Sequence, residues 1–201
     1  AAASRGDVKL IQALAALGVS PLTVMNDGVT PMYVAALQGH VEVIRALAAL
    51  GASTLTPNST GVTPMHAAAL HGHVEAIRVL VSLGGIPPTP ANYLERLMCV
   101  AISRNQTEVI RCLVNLGANL DMPLGRELAH DFGVRIGDTP MLVAAVYGHK
   151  EAIRVLAELG ASPTAPTANH QTPMLAAVFH GHAEAVLVLA ELGASPTEFL
   201  H

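Results

Sequence analysis

A period of 33 residues runs through this sequence and constrains what it can fold into more than any other feature. Gly-His pairs fall at Gly39-His40, Gly72-His73, Gly148-His149 and Gly181-His182; the first two pairs are 33 residues apart, and so are the last two. One step back from Gly39 reaches Gly6, in Gly6-Asp7, and one step forward from Gly72 reaches Asn105, in Asn105-Gln106. From Asn105 to Gly148 is 43 residues, one period plus ten. Three further ladders keep the same period and the same interruption. They are Thr30-Pro31-Met32, Thr63-Pro64-Met65, Thr139-Pro140-Met141 and Thr172-Pro173-Met174; the Leu-Gly pairs beginning at Leu17, Leu50, Leu83, Leu116, Leu159 and Leu192; and Pro57, Pro90, Pro123 and Pro166. Self-similarity at one fixed period marks a solenoid, in which each supersecondary unit is too small to bury its own apolar face and stacks on its neighbours to do so.

Within one unit, residues 25–57, the local chemistry reads helix, tight turn, helix, extended loop. Thr30 is a good N-cap, and Pro31 suits the first helical position, where its missing N–H costs nothing. The first helix runs through Met32–Gln38 and stops at Gly39, a residue able to take the left-handed conformation of a helix C-terminus. His40 opens a second helix, Val41–Leu50, with Val43, Ile44, Leu47 and Leu50 at helical spacing. Gly51 ends it. Nothing alternates for long enough to make a regular sheet strand.

The motif GxTPxxxAAxxGHxExIRxLxxLGAS resembles the ankyrin repeat, whose 33-residue period and T-P-L-H-x-A signature it shares, and the resemblance covers nearly the whole chain. It implies an all-α solenoid of stacked helix–turn–helix units with short β-hairpin-like loops, curved so that one surface is concave. On this reading residues 1–201 form a single domain. Residues 1–24 are a partial unit, 25–57 and 58–90 are full units, and 91–123 are degenerate. Residues 124–166 carry a ten-residue insertion, and 167–199 form the last unit. Neither end shows a polar cap, which suggests a fragment of a longer array or of a multidomain protein, monomeric by itself.

Composition narrows the function. The chain is 51% apolar but only 3% aromatic, which suits closely packed helices separated by small residues. A formal net charge of −4, with 11 basic residues thinly spread, argues against nucleic acid as a partner. No run of about 18 apolar residues lacks Gly, Pro or charge, so no membrane span is expected. Cys99 and Cys112 fall in different helices and read as reduced thiols of a cytosolic or nuclear protein.

The recurrent residues read as scaffold. His40, His73, His149 and His182 each follow a helix-ending Gly, where the ring can bond exposed backbone of the turn or of the next helix start. His71 and His73, or His180 and His182, could share a metal only with further ligands, and the two motifs lie three units apart, so no metal site or cofactor is expected. The i,i+3 pairs Glu42–Arg45, Glu75–Arg78, Glu108–Arg111 and Glu151–Arg154 read as a solvated ladder on the second helices. His66 resembles the family's TPxH histidine, which braces one unit to the next; Tyr33, Cys99, Leu142 and Leu175 stand there in the other units.

Variable positions are then the functional candidates. The resemblance implies that the two residues before each turn glycine meet a partner protein or peptide, together with the loop tips. Here those pairs are Leu37-Gln38, Leu70-His71, Ser103-Arg104, Val146-Tyr147 and Phe179-His180. Four of the five begin with a sizeable apolar residue, and an apolar stripe flanked by adaptable polar groups suits a peptide or a helix. The alternative for Leu37, Leu70, Val146 and Phe179 is half-buried packing between adjacent first helices. Loop-tip candidates are Asn26, Asp27, Val29, Ser59, Thr60, Val62, Ile136, Asp138, Asn169 and Gln171. Two irregularities interrupt the array. Tyr93-Leu94-Glu95-Arg96 replaces a TP turn, and the insertion 124–133 spaces Leu124, Leu128 and Phe132 as a short amphipathic helix, either a binding finger or a filler. Its Glu127, His130 and Asp131 come with no nucleophile or oxyanion donor, and no phosphate-cradling or nucleophile-elbow motif occurs anywhere, so no enzymatic activity is expected of these residues. The open alternatives are a targeting or regulatory part of a larger enzyme, channel or ubiquitin-ligase adaptor, and a structural spacer.

Overall fold

The computed structural model describes residues 2–18, 20, 22–25, 27–87, 93–121, 137–167 and 170–195. The chain forms two compact units, Ala1–Tyr93 and Leu94–His201. Among the described residues there are eleven α-helices and a 3-10 turn at Ala3–Arg5, and no strand. Helices α1 (Val8–Ala16), α2 (Pro31–Leu37), α3 (Val41–Ala49), α4 (Pro64–Leu70) and α5 (Val74–Ser82) come first. Helix α6 (Tyr93–Ser103) is followed by α7 (Thr107–Asn115), α8 (Pro140–Tyr147), α9 (Lys150–Glu158), α10 (Pro173–Phe179) and α11 (Ala183–Glu191).

The Thr-Pro starts fold as their chemistry dictates. Thr30, Thr63, Thr139 and Thr172 are extended N-caps whose hydroxyls accept the N–H three residues on, with proline in the first turn behind each. The resulting helices have seven or eight residues. Helices that short are marginal in isolation, so packing must hold them. In the first unit α2 lies against α4, and α3 against both α1 and α5; in the second, α8 lies against α10, and α9 against both α7 and α11. The first helices bury Met and Ala (Met32, Ala35 and Ala36; Met65 and Ala67 to Ala69), and small side chains let neighbouring backbones approach. The second helices bury larger residues at helical spacing: Ile44 and Leu47, Ile77 and Leu80, Ile110 and Leu113, Ile153 and Leu156.

The loops are hairpin-like without being sheet. Each of three tips is closed by a pair of backbone bonds: Met25 N to Val29 O with Gly28 N to Met25 O, Asn58 N to Val62 O with Gly61 N to Asn58 O, and Thr167 N to Gln171 O with His170 N to Thr167 O. Successive loops in the first unit are tied by Ser59 N to Asp27 O at 3.0 Å. Most turn positions are glycines with positive φ, and where the ladders break, the replacement takes the same conformation: Asn105 at φ 53° and His170 at φ 59°. Of the loop-tip candidates, Asp138 is only 4% exposed, so it faces the interior rather than a partner. Asn26, Ile136, Asn169 and the insertion 124–133 lie outside the described residues.

The replaced Thr-Pro turn at 93–96 proves to be extra helix. Helix α6 has 11 residues and begins three positions ahead of the repeat's usual Thr. Its first residue, Tyr93, is 4% exposed. The phenol oxygen lies 2.7 Å from Thr63 Oγ1, which is also 2.8 Å from His66 Nδ1, and the ring stands edge-on to His66 at 5.2 Å. Thr63 therefore caps its own helix and anchors the start of α6.

Candidate functional site

The C-terminal ends of the first helices carry the candidate residues. Leu37, Leu70, Ser103, Val146 and Tyr147 are half-buried, while Gln38, His71, Arg104, His180 and Phe179 are exposed, Phe179 by 80%. The rest of α4 and of α8 is buried, whereas in α2 Pro31, Tyr33 and Val34 are half-buried and in α10 Val178 is exposed. Leu37, Leu70 and Val146 thus share packing and surface roles, and Phe179 stands in solvent.

The four Gly-His histidines hold this edge from behind. Their rings do not cap the helices they open. Each Nε2–H instead donates across the stack to a carbonyl at or near the end of an earlier first helix or turn: His40 to Ser4 O, His73 to Leu37 O, His149 to Ser103 O and His182 to Val146 O, at 3.2, 3.1, 3.3 and 2.8 Å. A carbonyl can only accept, so the bond fixes the proton on Nε2. The acceptors at Leu37, Ser103 and Val146 are themselves candidate residues, so scaffold and edge are one construction. The sequence reading took these histidines as structural but placed their partners in the local turn or the next helix start; the actual partners lie 36 residues away, or 46 across the insertion.

The variable rings lean on these histidines. His71 stacks on His73 with centroids 6.2 Å apart, Tyr147 on His149 at 5.7 Å and His180 on His182 at 6.2 Å, all within 14° of parallel. Phe179 meets His180 edge-on at 5.3 Å. Burial pushes the Tyr147 phenol above its usual range, Cys99 adds to the rise and Arg104 opposes it. Cys99 lies beneath, buried, with its thiol pushed up to about 12 by burial and then by the charges of Asp138 and Glu95. Glu95 is 6% exposed; its Oε1 accepts Asn119 N–H at 2.9 Å, and Oε2 has no hydrogen-bond partner among the described residues. Glu95 and Asp138 hold the same position of the repeat, one period plus ten apart; the sequence showed one in a replaced turn and the other at a loop tip, and their burial was not legible there.

The ion pairs lie on the second helices. Glu42–Arg45 and Glu108–Arg111 are separated by 3.8 Å within their helices. The tighter pairs run between second helices: Arg111 to Glu158, Lys150 to Glu184 at 2.6 Å and Arg154 to Glu191 at 2.8 Å. The ladder is therefore partly a cross-unit one, which sequence spacing within a helix does not reveal. Among the described residues no group of three or more His, Cys, Asp or Glu could hold a metal ion, and no helix is long and apolar enough to cross a membrane. Both cysteines are buried, and neither is in a disulfide.

Comparison with known proteins places these features. A family model described as ankyrin repeats, in three copies, matches residues 1–92 and 97–199. The human ASB11 ankyrin repeat domain superposes with a TM-score of 0.77 at 26% identity, over 98% of this chain and 84% of that one. The ankyrin repeat domain of Bcl-3, a member of the IkappaB protein family, gives 0.71 at 21% identity over 96% of this chain and 85% of that one. An ankyrin repeat domain from Acinetobacter baumannii gives 0.70 at 21% identity, covering 96% of each chain. No curated protein matches the sequence.

Proposed function

This chain belongs to the ankyrin repeat family, whose repeats are in general protein-interaction modules, and we propose that it binds a partner protein or peptide along the ends of its first helices. The face is the one the family resemblance makes concave. Its residues are Leu37, Gln38, Leu70 and His71 in the first unit, and Ser103, Arg104, Val146, Tyr147, Phe179 and His180 in the second. One observation carries the reading: apolar and ring side chains are left half-buried or exposed at the ends of the first helices, and in α4 and α8 every residue ahead of them in the helix is buried. A spacer would have no use for an exposed phenylalanine backed by stacked rings. Aromatic and arginine side chains are also the types that dominate interface energetics.

The test is affinity capture with the wild-type chain beside a Leu70→Ala/Tyr147→Ala/Phe179→Ala variant, with circular dichroism showing equal helicity. The reading expects proteins recovered by the wild type and lost with the variant. Recovery of the same proteins by both would overturn it and leave the spacer.

A further inference from the structure

The charge layout of the second unit's edge specifies what kind of peptide it takes. Helices α8 and α10 contain no charged residue, and the ionisable side chains on their ends are Tyr147 and His180. Arg104 stands at the equivalent position after α6, exposed, and no carboxylate pairs with it among the described residues. Its charge reaches the edge, because it favours the ionised form of the Tyr147 phenol. The chain's other basic groups nearby are consumed: Arg111, Arg154 and Lys150 are each ion-paired between second helices. Of the acids that open the second helices, Glu184 is paired with Lys150, while Glu151 keeps its charge and accepts from the Asn105 amide at 3.2 Å. Among the described residues of a protein of net charge −4, the ends of these first helices thus carry no carboxylate of their own, but a guanidinium in no ion pair, an exposed imidazole and the apolar side chains of Val146 and Phe179.

We infer that the edge formed by Arg104, Val146, Tyr147, Phe179 and His180 takes an acidic peptide segment that carries an apolar side chain. A peptide carboxylate pairs with the planar fork of Arg104, whose geometry suits bidentate binding. The apolar side chain covers Phe179 and Val146 and excludes water from that pair. A basic or neutral segment of the same shape would leave Arg104 desolvated and unpaired. The inference rests on the binding edge proposed above and adds the chemistry of its occupant.

A displayed library of random dodecapeptides, selected on the intact chain, tests it. The selected peptides are synthesised and titrated by fluorescence anisotropy against wild type, Arg104→Glu and Val146→Ala/Phe179→Ala. The expected result is enrichment in Asp and Glu beside Leu or Phe, with affinity reduced about tenfold or more by Arg104→Glu, an exposed change that leaves the core intact. Peptides without acidic enrichment, or unaffected by Arg104→Glu but lost with Val146→Ala/Phe179→Ala, overturn the acidic partner and keep the edge. Peptides indifferent to both variants, or none selected, overturn both.

Discussion

At position 148 glycine is required for two reasons, and the neighbouring repeat lets them be separated. Gly148 has φ 69°, and a Cβ built on it would lie 2.5 Å from the His182 ring. Gly181, one period on, has φ 74°, and its Cβ would meet nothing within 4 Å. Left-handed strain of about 1–2 kcal/mol is common to both, so Gly148→Ala should destabilise more than Gly181→Ala by the cost of displacing the imidazole and its bond to Val146 O, on the order of 1 kcal/mol. Chemical denaturation of the two variants checks the difference; equal losses would mean the ring shifts freely. Beneath the same edge, Cys99 gives a second prediction. Its folded pKa of about 12 exceeds the ordinary thiol value of 9.0, so the folded state keeps a proton that the unfolded chain loses. The associated stability is intact below pH 9 and falls above it, by at most about 1.4 kcal/mol per pH unit. Cys99→Ala should flatten the alkaline arm of a Tm-against-pH curve, and the wild-type thiol should react with a maleimide at pH 8 only after denaturant is added. At this scale the sequence told which residues recur but not whom they touch: each Gly-His ring bonds a carbonyl one unit away, and nothing local in His182 points to Val146.

Helices in this chain are short enough that their ends decide them. The Thr-Pro starts and Gly stops were legible because each acts within four residues of itself. What the end residue does beyond its own helix was not. Thr63 and Thr139 share one motif, yet Thr139 is described with its cap bond to Leu142 N at 3.3 Å, whereas Thr63 also meets His66 Nδ1 and the Tyr93 phenol. Thr139→Ala should therefore cost about 1 kcal/mol, the usual worth of a cap. Thr63→Ala should cost about 2 kcal/mol or more, because the buried Tyr93 and His66 groups lose a shared partner. Thermal or urea unfolding of the pair decides it, and parity would show that Tyr93 finds another partner. The early start of α6 was illegible for the same reason: the sequence showed a missing Thr-Pro, and the phenol that compensates meets a hydroxyl 30 residues back.

Across the molecule, stability is distributed by how many neighbours each repeat has. In a solenoid the folding free energy is close to a sum of unit terms and nearest-neighbour terms, so an inner helix is held by two junctions. Helix α3 lies between α1 and α5, and α9 between α7 and α11. Helix α1 buries one side chain, Ile11, while α3 buries Val43, Ile44 and Leu47. Helix α9 buries Ala152, Ile153, Val155 and Leu156, whereas α11 buries Ala185, Val188 and Leu189 and leaves Leu187 exposed. The exposed cross-unit ion pairs add little to this, because surface pairs are worth about 0–1 kcal/mol and are screened by salt. Hydrogen exchange should accordingly be slowest in α3 and α9 and faster in α1 and α11, since local opening of a helix with one junction exposes less apolar surface. Leu156 and Leu189 occupy the same repeat position and are both fully buried, so Leu156→Ala should cost about 2–5 kcal/mol and accelerate exchange in α7, α9 and α11 together. Leu189→Ala should accelerate α11 first and leave α7 protected. Equal protection across these helices, or an identical pattern from both variants, would show that the second unit opens only as a whole and that its junctions do not act separately.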